Sequence, residues 1–209
     1  FEVIIPPTMC QPRRLCFTQL TTNNMNRHSK ILQRERSALL VVDIQEKLLP
    51  VIYESERVVD NAVKLINGFK ILNSPIYFTE QYPKGLGPTE PRIKSALEKR
   101  GAIHKMSFSC FGAGNLFEEL KSKNVQQVVV CGIESHVCVM QTTLDLLAND
   151  FQVHVAADAV SSRRKFDYEI ALERMRSNGA EISLTESILF EMLNVCGTDE
   201  FKAISKLVK

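Results

Sequence analysis

Short, wholly apolar runs alternate with stretches of helical spacing along this chain, and that alternation limits the fold more than any other feature. Ala38-Leu39-Leu40-Val41-Val42 runs without a polar break and ends in Asp43. A strand wet on one face alternates apolar with polar residues, so an unbroken run belongs to a strand covered on both faces. Residues 75–79, 102–104, 128–131, 151–156 and 180–183 read as further strands. Between them, residues 58–72 place Val58, Val59, Ala62, Val63, Leu65, Ile66 and Phe69 at helical spacing, and residues 93–99, 116–121, 137–147 and 166–176 predict helices, with more toward the C terminus. Repeated β-α units of this length predict an α/β fold of three α/β/α layers, with a doubly wound, six-stranded, mostly parallel sheet. The crossovers are expected to be right-handed, because strand twist makes them so.

The pattern occupies residues 37–209, expected to form one domain, and residues 1–36 read as an N-terminal extension. The extension carries Arg13, Arg14, Arg27, Lys30, Arg34 and Arg36 against only Glu2 and Glu35, with a polar run Thr21-Thr22-Asn23-Asn24. An Arg-rich, acid-poor leader fits a mitochondrial transit peptide, and a disordered tail fits equally. An intracellular location, cytoplasmic or mitochondrial, is therefore expected. A formal net charge of +2 gives no footprint for a nucleic-acid partner. No apolar run approaches the roughly 18–20 residues of a membrane helix. The six cysteines form no C-x-x-C, and the four histidines make no zinc-finger spacing with them, so free thiols in a reducing compartment are expected.

In an open parallel sheet, ligands bind in the crevice beyond the carboxyl ends of the strands. Three polar residues fall there: Asp43 closes the first strand, Lys105 follows the third, and Cys138 lies past the fourth in Gly132-Ile133-Glu134-Ser135-His136-Val137-Cys138. A cysteine in the first turn of a helix meets the positive end of the helix dipole, which favours the thiolate. A nearby ammonium such as Lys105 would lower its pKa further. Asp43 can accept the thiol proton and return it to a leaving group, while loop N–H groups stabilise an oxyanion. Together these are the parts of covalent catalysis. Each residue alone also has a plainer reading, as a solvated charge or a buried spacer, and Cys131 within its strand reads as core.

Several longer motifs occur in order: Val41-Val42-Asp43-Ile44-Gln45, then Thr79-Glu80-Gln81-Tyr82-Pro83-Lys84-Gly85-Leu86-Gly87, Lys105-Met106-Ser107-Phe108-Ser109-Cys110-Phe111, Gly132 to Cys138, and Asp158-Ala159-Val160-Ser161-Ser162-Arg163. On them, residues 37–209 resemble the isochorismatase-like, or cysteine hydrolase, superfamily, and look most similar to the eukaryotic isochorismatase domain-containing proteins. The resemblance implies a catalytic triad on Asp43, Lys105 and Cys138. It also implies a cis peptide bond just before Glu134, which turns the Glu134 and Cys138 amides into an oxyanion hole. By analogy Gln45, Tyr82, Phe108 and Phe111 line the substrate pocket, with core or loop packing as the open alternative.

Nicotinamidases of this superfamily carry an Asp-x-His metal motif after the second strand. Here Glu80-Gln81-Tyr82 stands in its place, so no metal and no cofactor is expected. His136 is expected to pack near the helix start or at a subunit contact rather than to act as ligand or base. Members that hydrolyse a vinyl ether lack the cysteine, so Cys138 implies cleavage of an amide-like carbon–nitrogen bond in a small molecule through a thioester. The alternatives are a vinyl ether hydrolase of the isochorismatase type and a non-catalytic binding or scaffold member. A homo-oligomer is expected.

Overall fold

The computed structural model describes residues 27–209. Six strands form one sheet: β1 (Ser37–Val42), β2 (Ile76–Gln81), β3 (Ile103–Lys105), β4 (Gln127–Ile133), β5 (Gln152–Ser161) and β6 (Glu181–Ser183). Their spatial order is β3-β2-β1-β4-β5-β6, and every pairing is parallel. The chain therefore builds outward from β1 to one edge, returns to the centre, and builds outward again. The reversal falls between β1 and β4, the switch point at which open parallel sheets bind their ligands.

Helices cover both faces. On one lie α1 (Ser55–Ile71), α3 (Pro91–Leu97), α7 (Thr185–Leu193) and α8 (Asp199–Val208); on the other lie α4 (Leu116–Ser122), α5 (Met140–Ala148) and α6 (Lys165–Ser177). The short α2 (Pro83–Leu86) follows β2. The unbroken apolar run of β1 has its reason here: Leu39 and Val41 enter the core under α1, while Ala38, Leu40 and Val42 enter the core under α4 and α5. β4 divides in the same way, with Val129, Cys131 and Ile133 on one face and Val128 and Val130 on the other. The α1 face is packed so closely that a Cβ at Gly68 would lie 2.3 Å from a Leu189 methyl.

Three features differ from expectation. β5 extends to Ser161 instead of stopping at residue 156, because Ala157, Ala159 and Val160 stay buried and its register against β4 shifts between Val130 and Gly132. The helix expected over 137–147 starts earlier, as a π-helical turn Ser135–Val139 leading into α5. Its width comes from the Val139 N–H, which reaches back five residues to the Glu134 carbonyl at 3.2 Å. Finally, the packed body begins before residue 37. Leu32 is fully buried in the core under α1. Gln127 accepts from the Gln33 N–H at 2.7 Å and donates to the Ser29 and Ile31 carbonyls. Arg34 pairs with Glu200 at 2.9 Å. One apolar residue and a set of backbone bonds tie this segment down, which is why periodicity does not reveal it. The reading of a leader over the residues before Arg27 lies outside the described residues.

Candidate active site

Asp43 follows β1 with φ +49°, a left-handed conformation that turns its side chain back over the strand ends. It is fully buried. Both carboxylate oxygens are occupied: Thr79 Oγ1 on β2 donates to Oδ1 at 2.8 Å, and Lys105 Nζ at the end of β3 donates to Oδ2 at 2.6 Å. The pair has no side-chain exposure on either partner. Two charges taken out of water gain little net stability even when well paired. The remaining Lys105 N–H groups donate to the Ser107 carbonyl at 3.0 Å and the Phe108 carbonyl at 2.7 Å, so the ammonium is fully satisfied.

Cys138 sits in the π-helical turn, 4% exposed. Its thiol points at the Gln81 side chain, with Sγ 3.8 Å from Oε1, and it lies within the field of the Asp43 carboxylate and the Lys105 ammonium. Gly132 makes this approach of β4 to β1 possible. Its φ is +128°, and a Cβ there would lie 2.1 Å from the Val42 carbonyl oxygen. The Ile133–Glu134 peptide bond that follows is cis. Glu134 receives Arg163 Nε at 2.8 Å. His136 Nδ1 lies 2.9 Å from Ser162 Oγ, which also accepts the His136 N–H, so His136 belongs to the packing that joins this loop to the end of β5.

The expected lowering of the Cys138 pKa by the helix start and Lys105 is outweighed. Burial, and after it the Asp43 carboxylate, push the Cys138 thiol up to about 12, against which the Lys105 ammonium works only partly. The reason is geometric: Lys105 donates to Asp43 and two carbonyls. The neighbouring Cys110 thiol, 3.8 Å from Thr79 Oγ1, is pushed up to about 11, mainly by burial. Cys131 is deep in the core, and burial drives its pKa upward as well.

The four residues offered for a pocket are placed as follows. Gln45 is fully buried and clamps the β2 end: its Nε2 donates to the Gln81 and Gly87 carbonyls, and its Oε1 accepts the Gln81 N–H. It has no surface to offer a ligand. Tyr82 is half exposed and folds over Gly85, where a Cβ would meet its ring at 2.1 Å. Phe111 leans edge-on against Phe117 with ring centroids 5.5 Å apart. Phe108 contributes its carbonyl to Lys105 and leaves its ring exposed.

Sequence reasoning missed Thr79, Gln81 and Arg163. The strand-end rule that finds Asp43 and Lys105 also points to Gln81, the last residue of β2. Where nicotinamidases place their metal motif, Glu80 accepts from the Thr89 N–H and hydroxyl at 2.9 and 2.6 Å and meets His104 at 3.3 Å. Among the described residues, no group of three or more His, Cys, Asp or Glu could hold a metal ion, and no helix is long and apolar enough to cross a membrane.

Comparison with known proteins adds a lineage to this geometry. Residues 37–187 match the model of the isochorismatase domain. Isochorismatase domain-containing protein 2 of Danio rerio is 42% identical over 178 residues, spanning 85% of this chain and 89% of the relative. The structure of the MAR1 ribonuclease of Caenorhabditis elegans superposes with a TM-score of 0.79 at 38% identity, over 85% of this chain and 91% of that one. YcaC of Escherichia coli, described as an octameric hydrolase of unknown specificity, shares the fold with a TM-score of 0.80 at 21% identity, over 87% of this chain and 92% of that one.

Proposed function

This chain belongs to the isochorismatase domain family, and from that premise we propose that it is a cysteine-dependent hydrolase that cleaves an amide-like carbon–nitrogen bond in a small molecule. The observation that carries the reading is the convergence of Asp43, Lys105 and Cys138 at the switch point of the sheet, with Lys105 bonded to Asp43 and both charges acting on the Cys138 thiol. What sets Cys138 apart from the core thiol of Cys131 is its place beyond a strand end next to a buried carboxylate that can act as base.

In this mechanism Asp43 takes the proton from the Cys138 thiol as Sγ attacks the substrate carbonyl carbon. Proton and bond move together, because the free thiol is protonated at neutral pH. The Glu134 and Cys138 N–H groups hold the oxyanion. Asp43 then delivers the proton to the nitrogen, the carbon–nitrogen bond breaks, and an amine and a thioester remain. Asp43 next takes a proton from water, which attacks the thioester, releasing a carboxylic acid and the Cys138 thiol. Lys105 orients Asp43 and stabilises its charge throughout. Ammonia release from a panel of small primary amides, followed with wild type and Cys138→Ala, tests the reading. Release by wild type and its loss by at least about a thousandfold in the variant is the expected result. Equal release by both overturns the covalent mechanism.

The name of the Caenorhabditis elegans relative supplies a competing reading, cleavage of RNA. A phosphodiester needs a cation at its developing charge, and Lys105 donates all its N–H groups within the protein. Incubation with single-stranded RNA is expected to leave it intact; cleavage that Cys138→Ala abolishes would favour this rival. We also propose a homo-oligomer. Phe166 and Ile170 lie exposed on α6 beside Met140 and His136, and contiguous apolar surface of this kind favours association.

A further inference from the structure

Gln81 is held more tightly than a strand end requires. Its backbone N–H and carbonyl are both taken by the buried Gln45 amide, at 2.8 and 3.0 Å, and the β2–β3 register sets it opposite Lys105. Its side-chain Nε2 donates to the Met106 carbonyl at 3.4 Å. The amide is thereby oriented with Oε1 toward Cys138 Sγ, 3.8 Å away. This oxygen is an acceptor facing the place where a scissile group must sit.

The charges around it are already matched. Lys105 bonds to Asp43 and two carbonyls, Asp43 accepts from Lys105 and Thr79, and Glu134 accepts from Arg163. Among the described residues named in these contacts, none is an unpaired cation, so a substrate carboxylate would face Asp43 without a counter-charge. The flanking loop presents Met106, 71% exposed, and Phe108, 54% exposed.

We propose that Gln81 is the specificity-determining residue of this site, and that it selects an uncharged carboxamide or ureido compound over a carboxylate or an ester. When the substrate carbonyl carbon reaches Sγ, the thiol relinquishes Oε1, and Oε1 accepts the N–H of the scissile nitrogen. An ester has no such hydrogen and leaves Oε1 unpaired, which is how a site rejects an analogue that lacks one polar group. The inference rests on the reading of Cys138 as nucleophile.

Two alkylating agents that differ only in the relevant group test it: iodoacetamide, a neutral amide, and iodoacetate, its carboxylate. Rates at Cys138 are read by peptide mass spectrometry on the full chain, each normalised to glutathione. Wild type is expected to prefer iodoacetamide. Gln81→Leu, which removes the acceptor at similar volume, is expected to cut that preference about five- to tenfold, the worth of one hydrogen bond. Gln81→Glu keeps an acceptor and adds a negative charge, and it is expected to widen the preference. An unchanged preference in Gln81→Leu with wild-type melting overturns the proposal. Should Gln81→Leu fail to fold, an unchanged or narrowed preference in Gln81→Glu overturns it alone. If neither reagent labels wild-type Cys138, the nucleophile reading falls and this inference with it, whereas labelling that ignores Gln81 sinks the inference only.

Discussion

At the scale of the residue, the site is governed by how one buried ammonium divides its attention. A lysine free to face Cys138 would draw the thiol toward its anion; this one is bonded to Asp43 and the loop carbonyls. The two charged neighbours of the thiol act in opposite senses: Asp43 raises its pKa and Lys105 lowers it. Their replacements should therefore shift Cys138 in opposite directions. Asp43→Asn is expected to speed iodoacetamide labelling of Cys138 at about pH 8.5, near the ordinary thiol pKa, while abolishing the proposed hydrolysis by removing its base. Lys105→Met is expected to slow both. Labelling that responds in the same direction in the two variants would mean that charge does not set this thiol. The helix-dipole argument is not false at Cys138; burial is simply the larger effect.

At the scale of the element, the strand ends carry the candidate site and the loops position it. Gly132 is where β4 must pass the Val42 carbonyl. Gly132→Ala brings a backbone clash and an unfavourable φ together, and a loss of about 3 kcal/mol in denaturant titration is expected. Arg163 presents the contrast. Its side chain is 57% exposed where it meets Glu134, so the ion pair adds at most about 1 kcal/mol to stability. Arg163→Ala should melt within a few degrees of wild type and, on the proposed mechanism, lose about tenfold in turnover, because it frees the loop that carries the Glu134 and Cys138 amides. A large drop in melting temperature with turnover preserved would reverse that assignment. Asp43, Lys105 and Cys138 were legible in the sequence because strand ends can be read from apolar runs. Gln81 follows the same rule but sits in a motif whose side-chain directions are set by Gln45, a contact across 36 positions. No periodicity encodes that. The π-helical turn was equally hidden, since its width depends on one N–H reaching back five residues instead of four.

At the scale of the whole molecule, two cores sandwich the sheet and each contains buried thiols. Cys110, Cys131 and Cys138 all have raised pKa values in the folded state. Such groups favour the fold fully below the unfolded thiol value of about 8.5. Above it the unfolded chain releases protons that the native state retains, so stability falls as pH rises toward the native pKa values. The melting temperature should be level near neutrality and then decline from about pH 8.5 upward, each thiol adding up to about 1.4 kcal/mol of loss per pH unit. Cys131→Ala should be less stable at neutral pH yet decline less steeply; an equally steep decline would show that other groups control alkaline unfolding. Light scattering decides the oligomer: a particle of a single 23.6 kDa chain at micromolar concentration would exclude it.

The residues that Gln127 secures run along the edge where the strands begin, while Cys138 opens at the edge where they finish. The seven residues of β4 put about 20 Å between those edges. A dye or a bead coupled at Ser29, which lies beside Gln127, would therefore sit on the opposite side of the sheet from Cys138 and leave that thiol's surroundings untouched.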